Sequence, residues 1–205
     1  MKFKITLCLA VALLSVITLK AQQNDTKKAI QDLVATVCKQ GSVPLTAEQK
    51  TSMADWLAVN GEAIKNVHPS EFKGEGPPAN GAATISRDQE RRNANGMPTF
   101  NPSLTYTSQD FRFAESKDAL YVFCMDVPKS DMKIKELCTR IGGRIIGTVK
   151  LLGSNERMSW EQEERELNLE KPHVLPKDGV TVFKITWTEY YKEKPVDKSI
   201  KILEP

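Results

Sequence analysis

Histidine is nearly missing from this chain: there are two in 205 residues, His68 and His173. Each adjoins a proline, and no Asp, Glu or Cys stands at ligand spacing from either, which argues against a zinc site. Cysteine is sparse too, at four, and no pair has the C-x-x-C spacing of zinc or redox motifs. No serine occupies a nucleophile elbow. Gly142-Gly143 with Gly147 precedes a strand rather than a helix, so it is not a dinucleotide fingerprint. Internal repeats and low-complexity tracts are absent. The expectation is therefore no cofactor and no metal.

Long apolar runs are also lacking, apart from one at the start. Met1-Lys2-Phe3-Lys4 is basic, and a largely apolar run from Ile5 to Leu19 leads to the small residue Ala21. That is the layout of a secretory signal peptide, with cleavage expected after Ala21. A membrane span needs about 20 apolar residues, more than this run offers. A periplasmic or secreted protein follows, with no membrane contact beyond the signal. The 29 Lys and Arg exceed the 26 Asp and Glu. Lys2, Lys4 and Lys20 leave with the signal, so the mature chain carries no net charge. Nucleic-acid binding normally needs a basic surface, and none is expected here.

The mature chain has room for one sizeable domain plus an appendage. A catalytic barrel of about 250 residues does not fit beside a sandwich of about 100. Its three cysteines are Cys38, Cys124 and Cys138, an odd number that leaves at least one thiol unpaired. Cys124 and Cys138 either bridge neighbouring strands or are buried thiols.

Ile30, Leu33, Val34, Val37 and Cys38 recur at i, i+3, i+4, i+7 and i+8, an amphipathic helix. Asp25 or Thr26 can cap its start and Gly41 can end it. Thr46 and Gln49 form a capping box for a second helix running to about Val59. Met53, Trp56 and Leu57 make its apolar stripe. Asn60-Gly61 tolerates φ > 0 and is expected to stop that helix and reverse the chain. The two helices form a hairpin over 26–60.

Between Asn66 and Ser103 stand Pro69, Pro77, Pro78, Pro98 and Pro102, which leave little room for a helix or a central strand. The expectation is a connection contributing one edge strand, with a charged loop tip at Asp88–Arg92. From Leu104 the period shifts to two. Phe111 and Phe113 alternate with Arg112 and Ala114, and Leu120–Met125 is apolar on both faces, as a central strand is. Lys133–Leu137, Ile145–Leu152, Leu167–Leu169 and Val180–Trp187 follow. Turn signals separate them at Lys117-Asp118, Pro128-Lys129, Gly142-Gly143, Gly153-Ser154-Asn155 and Lys177-Asp178-Gly179. The fold class expected is mainly β: an antiparallel β-sandwich preceded by a two-helix hairpin and a signal peptide.

The run from Trp56 to Ile64 resembles the junction between the catalytic barrel and the C-terminal β-sandwich of the α-L-fucosidases of glycoside hydrolase family 29. Further stretches resemble the same family in the same order. They are Ile30–Val34, Pro44–Lys50, Gly74-Glu75-Gly76-Pro77, Phe111-Arg112-Phe113 with Asp118–Tyr121, Gly147–Ser154, Trp160, Leu167–Pro172 and Val182–Ile185. The resemblance covers residues 29–185. It implies four parts: signal peptide 1–21, helical hairpin 22–65 as the remnant of a barrel end, connection 66–103, and a fucosidase-type sandwich 104–205.

The chain also departs from that pattern. Lys39–Pro44 joins the two helices where the family has a Gly-Asn-Leu-Leu-Leu-Asn-like barrel strand. Lys65–Pro69 replaces a Tyr-x-Thr-Arg-Pro-Trp-like run. The family's aspartate nucleophile and glutamate acid/base lie in the barrel, and no position here matches them. No catalytic residue is assigned. The resemblance implies a non-catalytic accessory module, with a carbohydrate-binding module or a truncated fucosidase as the alternatives. Its partner is then a fucosylated glycan or another protein.

Retaining glycosidases need two carboxylates about 5–5.5 Å apart. The densest supply is Glu161, Glu163, Glu164 and Glu166 beside Trp160, which reads foremost as a solvated hairpin surface with a buried Trp. Trp187, Tyr190 and Tyr191 are candidates for stacking on a sugar, or else core and edge packing. Met53, Trp56 and Leu57 are expected to dock the hairpin on the sandwich, because one covered side chain contributes about 1.5–3 kcal/mol.

Overall fold

In a computed structural model of the chain, the described residues are 2–76, 106–140, 144–175 and 179–188. Helix α1 spans Lys2–Gln40. Asp25 and Thr26 lie inside it and do not cap it; the Thr26 hydroxyl instead reaches the Ser52 carbonyl at 3.5 Å. Gly41 ends α1, with φ +82° and its N–H donating to the Val37 carbonyl at 2.8 Å. A Cβ there would lie 2.9 Å from the Val67 carbonyl oxygen, so glycine is required by both backbone and space.

The second helix starts at the expected capping box. The Thr46 hydroxyl accepts from the Gln49 amide, and the Thr46 amide donates to the Gln49 side chain. It is two helices rather than one, α2 Ala47–Ser52 and α3 Ala54–Asn60. They meet at Met53, whose backbone leaves helical geometry (φ −122°, ψ 27°) while its side chain is buried. Asn60-Gly61 does not reverse the chain. Both residues have negative φ, and the backbone tightens into a 3-10 turn, Gly61–Ile64, that buries Ala63 and Ile64. The left-handed residue is Asn66, at φ 55°. Reversal thus waits until the apolar end of the helix is covered.

Eight strands follow: β1 His68–Pro69, β2 Phe111–Glu115, β3 Leu120–Cys124, β4 Met132–Ile134, β5 Ile146–Leu151, β6 Trp160–Gln162, β7 Leu167–Leu169 and β8 Thr181–Trp187. All pairings are antiparallel. The larger sheet has the order β1-β2-β3-β8-β5 and the smaller β4-β7-β6. The Pro-rich connection contributes β1, an edge strand. Beyond Lys133-Ile134 the expected strand stops, because Lys135–Leu137 turns as a 3-10 helix. The turns at Gly142-Gly143 and Lys177-Asp178 and the tip at Asp88–Arg92 lie outside the described residues.

Every residue of β3 is buried. Leu120, Val122 and Cys124 enter a core shared by the two sheets, with Phe111, Phe113, Phe183 and Ile185 from one and Met132, Ile134, Leu167 and Leu169 from the other. Tyr121, Phe123 and Met125 point to the opposite face, where they meet Ile30, Leu33, Val34 and Val37 of α1 and Met53 and Trp56. Period two in the strand and the i, i+3, i+4, i+7 stripe in the helix are thus halves of one contact. Cys38, Cys124 and Cys138 are all free thiols, and burial pushes Cys38 and Cys124 up to about 12. The Cys124–Cys138 bridge is not formed. Among the described residues no helix is long and apolar enough to cross a membrane.

Trp56 joins the helices to the sheet: it is 2% exposed and its indole N–H donates to the Val180 carbonyl at 3.0 Å. Leu57, half-buried, packs on the same cluster. Gln31 makes a second tie, donating to the Met125 carbonyl at 2.6 Å. We expect Trp56→Ala to lower unfolding free energy by about 3–5 kcal/mol. Trp56→Phe, which removes mainly the hydrogen bond, should cost about 1–3 kcal/mol. Denaturant unfolding of the two variants checks both values, and amide exchange should show 30–37 protected in the wild type and released in Trp56→Ala.

Candidate functional site

The acidic stretch around β6 is a ladder of surface contacts. Glu166 pairs with Lys133 at 2.6 Å, Glu164 with Arg140 at 3.7 Å, and Glu163 accepts from the Asn168 amide at 2.7 Å. Glu161 is exposed. Each carboxylate that has a partner points to a different cation or amide, so these four do not converge as hydrolytic chemistry requires. Trp160 is half-buried against the core rather than fully buried.

Trp187 is the described member of the C-terminal aromatic group; Tyr190 and Tyr191 lie outside the described residues. The Arg144 guanidinium sits 4.0 Å from its ring centre, a cation–π distance, and Phe72 stacks on it at 5.9 Å and 30°. Arg144 is itself fixed by Glu115 at 2.6 Å. The ring is therefore already partnered by protein, and a sugar would have to displace Arg144 or Phe72.

Two residues with no sequence signal organise this end. Gln162 accepts from the Ile146 amide and donates to the Leu137 and Arg144 carbonyls, each near 3.0 Å. Glu75 accepts from the Lys135 and Glu136 amides at 3.1 and 2.7 Å, capping the 3-10 turn of the smaller sheet. Burial holds the Glu75 carboxyl above the usual carboxylate range against those two donors. Asp110 is fully buried; one oxygen takes the Thr107 amide and hydroxyl, and the other has no partner among the described residues. Only a backbone path linking Glu75 to Phe111, as the bridge between them does, brings such distant positions together.

Two clefts remain. One, of ≈ 560 Å³, lies over Trp56 and Met53 between α1 and α3 and is lined by Gln23, Asn24, Lys27, Asp55 and Asp126. Lys27 and Asp126 close it with a 2.6 Å ion pair. The other, of ≈ 810 Å³, runs between β5 (Gly147–Lys150) and the loop from Ser154 to Trp160. Its loop wall is pinned by Glu156, which accepts from the His173 amide at 3.0 Å and pairs with the ring Nδ1 at 2.7 Å. His68 lies exposed on β1. Among the described residues no three His, Cys, Asp or Glu side chains cluster as a metal site would require.

No family model matches the chain, and no curated protein sequence matches it. Among solved structures it is similar to α-L-fucosidase isoenzyme 1 from Paenibacillus thiaminolyticus, at 16% identity and a TM-score of 0.48, over 80% of this chain and 35% of that one. An α-L-fucosynthase from Thermotoga maritima matches at 17% identity and 0.43, over 71% and 27%. A family 29 α-L-fucosidase from Bacteroides thetaiotaomicron matches at 14% and 0.44, over 69% and 24%. The chain thus spans a quarter to a third of the length of these proteins.

The groove wall carries its own pH dependence. The His173 amide, followed by its side chain, holds the Glu156 carboxyl below its ordinary value of 4.5. A carboxylate whose folded value is depressed stabilises above its unfolded value and loses that contribution as pH falls through the folded one. We expect the His173 and Val174 amide signals to move together as pH drops below 4.5, and Glu156→Gln to abolish the transition. An NMR titration reads both.

Proposed function

We propose that this protein is an exported accessory module, related to the C-terminal β-sandwich of the α-L-fucosidases, which supports a partner rather than hydrolysing glycosides itself. The observation that carries this reading is the docking of the helical pair on the module's own sheet, through Trp56 to Val180. A pair of helices that resembles the end of a catalytic barrel has its apolar stripes covered here without one. The ordered resemblance of residues 29–185 to the family supports the ancestry. The surface partners of Glu163, Glu164 and Glu166 support the absence of turnover. Export rests on the basic start and the apolar run to Leu19. Cleavage after Ala21 leaves α1 to begin at Gln22, where Asp25 or Thr26 then serves the exposed amides of its first turn. The four-part division at residues 21, 65 and 103 belongs to the same reading.

The purified mature protein should release no aryl alcohol from an aryl α-L-fucoside above the buffer rate, and its intact mass should begin at Gln22. Turnover that follows the protein through purification would replace this reading with a glycosidase. A glycan array run alongside should be blank; retention of fucosylated glycans would make the module a carbohydrate binder.

A further inference from the structure

β5 is an edge of the larger sheet, with β8 on one side and the ≈ 810 Å³ groove on the other. The ladder register tells which of its backbone groups face that groove. Leu152 donates to Val182, and Thr188 donates to Ile145, so in an antiparallel pair the intervening Thr148 and Lys150 bond towards β8. Ile146, Val149 and Leu151 turn their amide edges outward. The Ile146 N–H is taken by Gln162, and the Leu151 carbonyl by the Ser154 amide. Both ends of the edge are closed by the protein itself, and Val149 stands open between them. The groove wall beside it is apolar, made by Met158 and the half-buried Trp160. An open amide edge beside an apolar wall is the arrangement that accepts one more strand.

We propose that this edge is completed by the chain's own segment Ser199–Leu203. Its sequence, Ser-Ile-Lys-Ile-Leu, sets Ile200 and Ile202 on one face with Lys201 on the other, the period-two pattern of a half-covered strand. Docked on β5, Ile200 and Ile202 cover Val149, Met158 and Trp160 while Lys201 stays in water. The path is short. β8 ends at Trp187, opposite Ile146 at the start of β5, so the chain leaves the sheet at the near end of the groove. Eleven residues, 188–198, extend up to about 36 Å, against about 10 Å for two strand spacings. Running back from that point, the segment lies parallel to β5.

Residue-resolved amide exchange on the full chain tests the proposal. In the wild type the amides of Val149, Ile200, Lys201 and Ile202 should exchange at least about tenfold more slowly than unstructured amides. The double variant Ile200→Asp/Ile202→Asp, and separately Lys201→Pro, should remove that protection at Val149 and leave β3 and β8 unchanged. Exchange of 200–202 at the unstructured rate in the wild type would overturn it. So would protection at Val149 that disappears on dilution, since the occupant would then be a second copy, or protection that survives both variants.

Discussion

The centre of the larger sheet has no wet face, and the rest of the molecule is arranged around that constraint. Alternate residues of β3 enter two different cores, Leu120 and Val122 on one side and Tyr121 and Phe123 on the other. A strand of this kind needs cover on both faces, because each large side chain left in water forgoes about 1.5–3 kcal/mol. The small sheet supplies one cover and the helices supply the other. The helical cover must also sit at a fixed height and rotation. Trp56 fixes it, since an indole N–H buried away from water needs an acceptor and the Val180 carbonyl is that acceptor. The Gln31 amide meets the Met125 carbonyl for the same reason.

Much of this was legible in the sequence because it is periodic. The α1 stripe, the Thr46–Gln49 capping box, the doubly apolar β3 and the Phe111–Phe113 alternation each express a local rule that the tertiary structure respects. The errors fall where a local rule meets packing. Asn60-Gly61 can adopt positive φ, but burial of Ala63 and Ile64 keeps the backbone turning in the helical sense. Met53 lies in a continuous helical pattern, yet its burial coincides with the break between α2 and α3. Asp25 and Thr26 are good caps in isolation and lie within α1 in the full chain.

The polar devices were not legible at all. Gln162 ties three backbone groups together, and Glu75 caps a 3-10 turn about sixty residues away. Neither has a motif, because what selects it is the set of unpaired amides around it, and those are known only once the strands have paired. Trp160 and Trp187 were misleading in the opposite sense. An aromatic residue near charges reads as a sugar platform, whereas Arg144 and Phe72 already use the Trp187 ring.

Charge and shape together separate support from catalysis. An acid pair for glycoside cleavage must share a cleft and differ in environment, so that one partner holds a proton at neutral pH. The one described carboxylate that burial drives upward is Glu75, and both its oxygens are committed to the amides of Lys135 and Glu136. That commitment joins the two sheets, because Glu75 bridges to Phe111 on β2 while its side chain holds the turn that follows β4. The perturbed acid is therefore a clamp between layers. Its protonation would loosen the capped turn without offering a proton to anything outside, which is how a structural carboxylate differs from a catalytic one.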